Sequence, residues 1–87
     1  MSVKTADEVK AGNLLKISIA ASHKTSIVIK IVDMDGQNID TLGCNTTKEF
    51  ICETFWSVPN DLIPGTYMIK VNDAISSNET TFKVIMK

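Results

Sequence analysis

The segment Leu62-Ile63-Pro64-Gly65-Thr66-Tyr67-Met68-Ile69-Lys70-Val71 decides the fold. Pro64 fixes φ and Gly65 accepts positive φ, so the chain is expected to turn at this pair. From Tyr67 onward, inward and outward residues alternate with a period of two, which predicts a half-buried strand. The segment therefore predicts a turn that opens into a late β-strand.

Alternating segments of this kind recur along the whole chain. Turn residues separate them at a spacing of roughly 8–12 residues, the rhythm of an all-β sandwich or barrel. No window supports a long amphipathic helix. We predict one domain over residues 1–87, an all-β sandwich of about seven antiparallel strands. The predicted strands cover residues 2–9, 14–20, 27–32, 37–42, 48–58, 66–72 and 79–86.

The phase of each alternation predicts the core. Asp35-Gly36 is a hairpin signal, because both positions tolerate positive φ. The strands on either side of it, and the later ones, would then turn one apolar face inward. The predicted inward residues include Ile27, Ile29, Ile31, Phe50, Cys52, Thr54, Trp56, Val58, Phe82, Val84 and Met86.

Composition and charge exclude several classes of protein. The formal net charge is -1 and all nine basic residues are Lys. A nucleic-acid surface normally uses Arg and a basic excess, so we expect no nucleic-acid partner. No apolar run approaches the ~20 residues of a membrane span. The first residues lack the apolar core of a signal peptide, so we expect a domain excised from a longer polypeptide.

Five stretches resemble, in this order, the immunoglobulin-like modules of archaeal and bacterial cell-surface proteins. They are also similar to macroglobulin-type sandwich domains. The resemblance covers nearly the whole chain, and its motifs are turn and core residues. The stretches are Val9-Lys10-Ala11-Gly12-Asn13, Val32-Asp33-Met34-Asp35-Gly36, Phe55-Trp56-Ser57-Val58-Pro59, the Leu62–Val71 segment and Glu79-Thr80-Thr81-Phe82-Lys83-Val84.

This resemblance implies an immunoglobulin-like or fibronectin-like sandwich that is extracellular or at the cell surface. It implies a non-catalytic spacer, adhesion or structural module, with no catalytic residues to carry over. It further implies that the Tyr67 hydroxyl bonds to upstream backbone. The expected partners are neighbouring domains of the same chain, another surface protein or a glycan. No cofactor is expected.

The alternative function is an accessory domain that binds carbohydrate or protein. Sugar sites usually expose aromatic rings, and Phe55 is the one aromatic predicted to point outward. The candidate interface residues are apolar side chains with outward phase, which a neighbouring domain or a partner would cover. They are Met34, Phe55, Met68 and Ile85.

The ionisable residues do not predict an enzyme. His23 follows Ser22, and adjacent residues of an extended chain point in opposite directions, so we interpret it as a surface histidine. Glu49 and Glu53 fall on a predicted exposed face, without the apolar setting that acid–base catalysis requires.

A metal site is not predicted either. Asp33, Asp35, Asn38 and Asp40 cluster around the first hairpin, and calcium prefers such oxygen ligands. Gly36, however, does not fall where a calcium-binding loop needs its glycine. A solvated turn with side-chain to backbone hydrogen bonds is the favoured interpretation.

Two cysteines and two asparagines are candidates for covalent modification. Cys44 and Cys52 are interpreted first as free thiols, with a disulfide as the alternative in an exported protein. Their spacing does not match a redox pair. Asn45 and Asn78 each begin an N-x-Thr acceptor sequence for glycosylation.

Overall fold

The computed structural model describes residues 1–86, and this part of the chain is built from β-strands and turns. Alternation of apolar and polar residues gives most of the long strands one buried face, as expected for a sheet packed on one side only. The strands are β1 (Ser2–Thr5), β2 (Glu8–Lys10), β3 (Leu14–Ala20), β4 (Ser26–Asp33), β5 (Asn38–Asn45), β6 (Ile51–Ser57), β7 (Gly65–Asn72) and β8 (Ser77–Ile85).

Two sheets pack face to face. One has the strand order β1-β3-β6 and the other has the order β2-β8-β7-β4-β5. The predicted all-β sandwich is confirmed.

One detail of the strand prediction is wrong. The segment predicted as a single strand over 2–9 is divided: β1 pairs antiparallel with β3, whereas β2 pairs parallel with β8 in the other sheet. Pairing is therefore not antiparallel throughout. The change of sheet depends on which strand lies alongside, and the local alternation does not encode that choice.

The core lies between the sheets, where the predicted phase places it. Ile29 is 0% exposed, Trp56 2% and Tyr67 6%. The Phe82 ring meets Trp56 edge-on and stacks against Tyr67, with centroids 6.0 Å apart in both pairs. The Tyr67 hydroxyl donates a hydrogen bond to the carbonyl oxygen of Ile63, which confirms the expected tie to upstream backbone.

Two residues predicted to point inward do not. Phe50 is 40% exposed because it has φ 63° and closes the turn before β6, which begins one residue later. Met86 is 78% exposed because β8 ends at Ile85. In addition, β5 extends to Asn45, so Cys44 lies in a strand and not in the predicted loop over 43–47.

The chain enters and leaves the sandwich at opposite ends. Ser2 pairs with Ala20, the last residue of β3. Ile85 pairs with Lys10 and accepts a hydrogen bond from the amide of Ala11, close to the start of β3. The molecule measures 37 × 23 × 17 Å. Strands of seven to nine residues extend for roughly 23–30 Å, so we infer that the long axis follows the strands.

Candidate functional site

Three loops meet at the end of the sandwich where β1 begins. They join β3 to β4, β5 to β6 and β7 to β8, and we call this region the loop end (residues 21–25, 46–50 and 73–76). The amide of Ala21 donates to the carbonyl of Phe50, and the amide of Thr25 donates to Thr46 Oγ1 at 2.8 Å. Thr46 is itself buried, so these bonds hold the first two loops together.

The loop end also brings together Ser22, His23 and Asp73. Ser22 Oγ lies 3.2 Å from His23 Nδ1, and His23 Nε2 lies 3.5 Å from Asp73 Oδ2. The Asp73 side chain is fully buried, and its Oδ2 has no hydrogen-bond partner. The sequence gives no signal for this contact, because His23 and Asp73 lie in loops far apart along the chain.

Backbone hydrogen bonds lower the pKa of the Asp73 carboxyl. Its Oδ1 accepts hydrogen bonds from the amides of Ser76 and Ile75, both at 2.7 Å. These bonds hold the pKa of the Asp73 carboxyl below its ordinary value, and the bond from Ser76 has a larger effect than the bond from Ile75. Burial raises the pKa, and the charge of His23 lowers it by a smaller amount. Asp73 therefore stabilises its own turn through the amides of Ile75 and Ser76, and it also contacts His23 in the β3–β4 loop. These contacts give Asp73 a structural role.

The acidic hairpin residues are engaged separately. Asp33 Oδ1 accepts from the amides of Asp35 and Gln37, at 3.0 and 2.9 Å, which is the side-chain to backbone pattern of a turn. Asp40 Oδ2 instead accepts from Trp56 Nε1 across the sandwich at 2.9 Å. Within residues 1–86, no group of three or more His, Cys, Asp or Glu side chains is placed to hold a metal ion.

The four predicted interface residues do not share one surface. Phe55 lies on the outer face of the three-stranded sheet and is 58% exposed. Met68 and Ile85 have outward phase on the opposite sheet and are half-buried, and Met34 lies in the β4–β5 turn. A single partner could therefore not cover all four residues on one flat surface.

The structure groups a different set around Phe55. Leu14 and Ile51, 63% and 41% exposed, flank it on the outer face of the three-stranded sheet. Between them, Lys16 Nζ lies 2.9 Å from Glu53 Oε2. The hydrogen bond from Lys16 lowers the pKa of the Glu53 carboxyl, and the lysine charge and Ser18 lower it further. This outer face combines exposed apolar side chains with a surface ion pair.

Both cysteines and both acceptor asparagines are now placed. Cys44 on β5 and Cys52 on β6 are joined across the two sheets, with Cα atoms 6.2 Å apart. The first interpretation, free thiols, differs from this arrangement, because the loop-end turn brings the ends of the two strands together. Asn45 and Asn78 are exposed, and the Asn78 side-chain amide donates to the carbonyl of Met1 at 2.8 Å. Glycosylation at either asparagine stays a prediction.

Within residues 1–86 the structure contains no helix of the length and hydropathy needed to cross a membrane.

Comparison with solved structures finds the same fold in CopC from Methylosinus trichosporium OB3b. The TM-score is 0.64 at 19% sequence identity, and the alignment covers 99% of this chain and 91% of that chain. An engineered protein aligns with a TM-score of 0.60 at 18% identity, covering 99% of this chain and 20% of that chain. At these identities the likeness shows the fold alone. No protein-family model and no curated protein matches the sequence.

Proposed function

We propose that this chain is a non-catalytic, immunoglobulin-like module that spaces or displays other domains in a cell-surface or secreted protein. The observation that carries the proposal is the position of the two chain ends. Ser2 lies beside the end of β3, and Ile85 lies near its start, so successive copies or domains would follow one another along the 37 Å axis. A rigid sandwich with its chain ends at opposite ends would hold the neighbouring domains apart, and this role needs no catalytic group.

Two further features support an extracellular setting, and a third supports a module that binds no nucleic acid. The Cys44–Cys52 link would persist in an oxidising compartment and is rare in the cytosol. The exposed acceptor residues Asn45 and Asn78 would be accessible to a glycosylation enzyme. The Lys-only basic composition and a net charge of -1 suit a module without a nucleic-acid partner.

Small-angle scattering on a tandem protein tests the spacer role. Two copies joined directly, with residue 87 of the first followed by residue 1 of the second, should form an elongated particle. We expect its maximum dimension to exceed that of the single copy by about one long axis, 37 Å. A compact side-by-side particle would contradict the proposal. The single copy is the matched control.

A second candidate function, carbohydrate binding by the outer face, is favoured by one observation. The Phe55 ring is 58% exposed beside Leu14, and an exposed ring of this kind can stack on a sugar. A glycan array probed with the wild-type protein and with Phe55→Ala tests it. Binding that the substitution abolishes would support this candidate, whereas silence across the array would leave the spacer module alone.

A further inference from the structure

The sandwich is incomplete along one side. Five strands face only three, and β5 and β6 are the last strands of their sheets on that side. The two strands are linked at two points, Cys44 to Cys52 and Asp40 to Trp56. Between these links, Leu42 and Thr54 face the interior but are only half-buried. We call this strip, together with the free edge of β6, the β5–β6 groove.

The burial of neighbouring strands shows what the groove lacks. Ile27 and Ile29 of β4 are 1% and 0% exposed, because the three-stranded sheet covers them. Their partners on β5, Cys44 and Leu42, share the same inward phase yet are only half-buried. Within residues 1–86, β6 covers this part of β5 only partly, so the inner face of β5 is left partly open.

The free edge of β6 offers unpaired backbone groups. The Val58 amide donates to the Asn13 carbonyl, and the Ala21 amide donates to the Phe50 carbonyl. These two bonds show which residues of β6 direct their backbone groups toward β3. By that alternation residues 52, 54 and 56 bond to β3, while the amides and carbonyls of Glu53 and Phe55 point away from it. Such an edge is a template for an additional strand.

The sequence of β6 does little to block such pairing. Natural edges are usually protected by Pro, by bulges or by several charges. The β6 segment Ile51-Cys52-Glu53-Thr54-Phe55-Trp56-Ser57 contains no Pro, and its pairing with β3 runs without a register shift. Its one charged residue, Glu53, is already paired with Lys16. A depression of about 430 Å³ lined by Thr47, Glu49, Ile51 and Glu53 adjoins the edge.

We propose that the β5–β6 groove binds an extended polypeptide strand that adds to the three-stranded sheet beside β6. The strand would have apolar residues at alternate positions, to cover Leu42 and Thr54. It would have Lys at intervening positions, to meet the carboxylate of Glu49 and to share that of Glu53 with Lys16. Main-chain hydrogen bonds to Glu53 and Phe55 would supply affinity, as in other strand additions.

The occupant is a strand from another protein and not β6 of a second copy. Pairing two copies edge to edge through β6 would bring their β5 strands together beneath the joined sheet. Because β5 approaches β6 to a Cα–Cα distance of 6.2 Å at the Cys44–Cys52 link, the two β5 strands would crowd each other there. A single extended segment meets no such obstacle.

The probe is a synthetic eight-residue peptide, capped at both ends, in which Val alternates with Thr and Lys. We expect saturable binding by calorimetry, with amide shifts of Leu42, Glu53 and Phe55 in NMR spectra. Two control peptides distinguish strand addition from nonspecific hydrophobic binding. One has the same composition with its valines in a block, and the other is methylated on the amides that would face β6. Neither should bind.

Two substitutions at one position provide the protein controls. Phe55→Pro removes the edge-facing amide but leaves the β3 ladder intact, whereas Phe55→Ala keeps the amide and removes only the ring. We expect Pro to weaken binding roughly tenfold, since one hydrogen bond is lost, and Ala to weaken it less than Pro does. Circular dichroism verifies that both variants fold.

Several results would overturn the proposal: no binding of the alternating peptide, equal affinity of the methylated peptide, or shifts confined to the five-stranded sheet. Self-association of the protein at the concentrations used, reversed by Phe55→Pro, would also overturn it, since it would identify a second copy as the occupant. None of these results bears on the tandem-scattering test, so the groove and the spacer role can fail separately.

Discussion

At the scale of single residues, the Tyr67 hydroxyl links the turn before β7 to the strand itself. Tyr67 is 6% exposed, its hydroxyl donates to the Ile63 carbonyl, and burial is the main cause that raises the pKa of its phenol, with the Asp33 charge second. Tyr67→Phe keeps the ring stacked on Phe82 and removes one hydrogen bond. We expect the free energy of unfolding to fall by about 1 kcal/mol in urea denaturation.

A hydroxyl deletion on the surface is the matched control for Tyr67→Phe. Thr5→Val removes the exposed bond from Thr5 Oγ1 to the Lys16 carbonyl. It should cost less than Tyr67→Phe, because water replaces an exposed bond more readily than a part-buried one. Equal costs for the two variants would show that the Tyr67 bond has no special role.

Asp73 should make stability depend on acidity. Because its folded-state pKa lies below the ordinary value, its contribution to stability is fully present above the unfolded-state pKa. That contribution is lost as the pH falls through the folded-state pKa. We expect the unfolding free energy of wild type to decrease more steeply on acidification than that of Asp73→Asn. The measurement is chemical denaturation across a series of acidic pH values.

His23→Gln separates the two causes at Asp73. The backbone bonds from Ser76 and Ile75 are the larger causes of the lowered pKa, so this variant should retain most of the acid dependence. If Asp73→Asn and wild type lost stability in parallel on acidification, the proposed role of the Asp73 carboxylate would be wrong.

At the scale of strands, the Cys44–Cys52 link connects the two sheets near the loop end. It closes a loop with a sequence separation of 8. In the chain-entropy account, opening a loop of this length costs about 2–3 kcal/mol of stability. We expect the wild type to lose this amount with dithiothreitol. Cys44→Ser should be equally stable with and without the reductant.

Mass spectrometry provides an independent measurement of the same link. Wild type unfolded without reductant and treated with an alkylating reagent should gain no alkyl groups, and it should gain two after reduction. Two alkyl groups gained without reduction would show that Cys44 and Cys52 are free thiols, as the sequence analysis first interpreted them.

The strands also show how far sequence reasoning reaches. Period-two alternation predicted the buried faces of β3, β4 and β7, because each of these strands has one face on the core along its whole length. It did not predict the division of residues 2–9 or the exposure of Phe50, because those depend on pairing between distant strands and on one left-handed turn residue. The β5–β6 groove was missed for a related reason, since the unequal number of strands in the two sheets has no local sequence signal.

At the scale of the whole molecule, a spacer must resist force applied to its ends. The first strand, β1, pairs with β3, the next strand, β2, runs parallel to β8, and the Ala11 amide donates to the Ile85 carbonyl at 3.1 Å. Pulling the first and last residues apart therefore loads the β1–β3 and β2–β8 hydrogen bonds along the strands, so that the bonds of each pair must break together. We expect Ala11→Pro, which removes the Ala11 donor, to lower the unfolding force measured by atomic force spectroscopy.

The control for the force measurement removes a hydrogen bond far from β2 and β8. Thr46→Val deletes the hydroxyl that accepts from the Thr25 amide at the loop end. It should lower the free energy of unfolding, because a part-buried donor loses its partner, yet leave the unfolding force close to that of wild type. If the two variants lowered the force equally, mechanical resistance would follow overall stability and not the parallel pairing of β2 with β8. The position of the chain ends would then give no mechanical support to a spacer role.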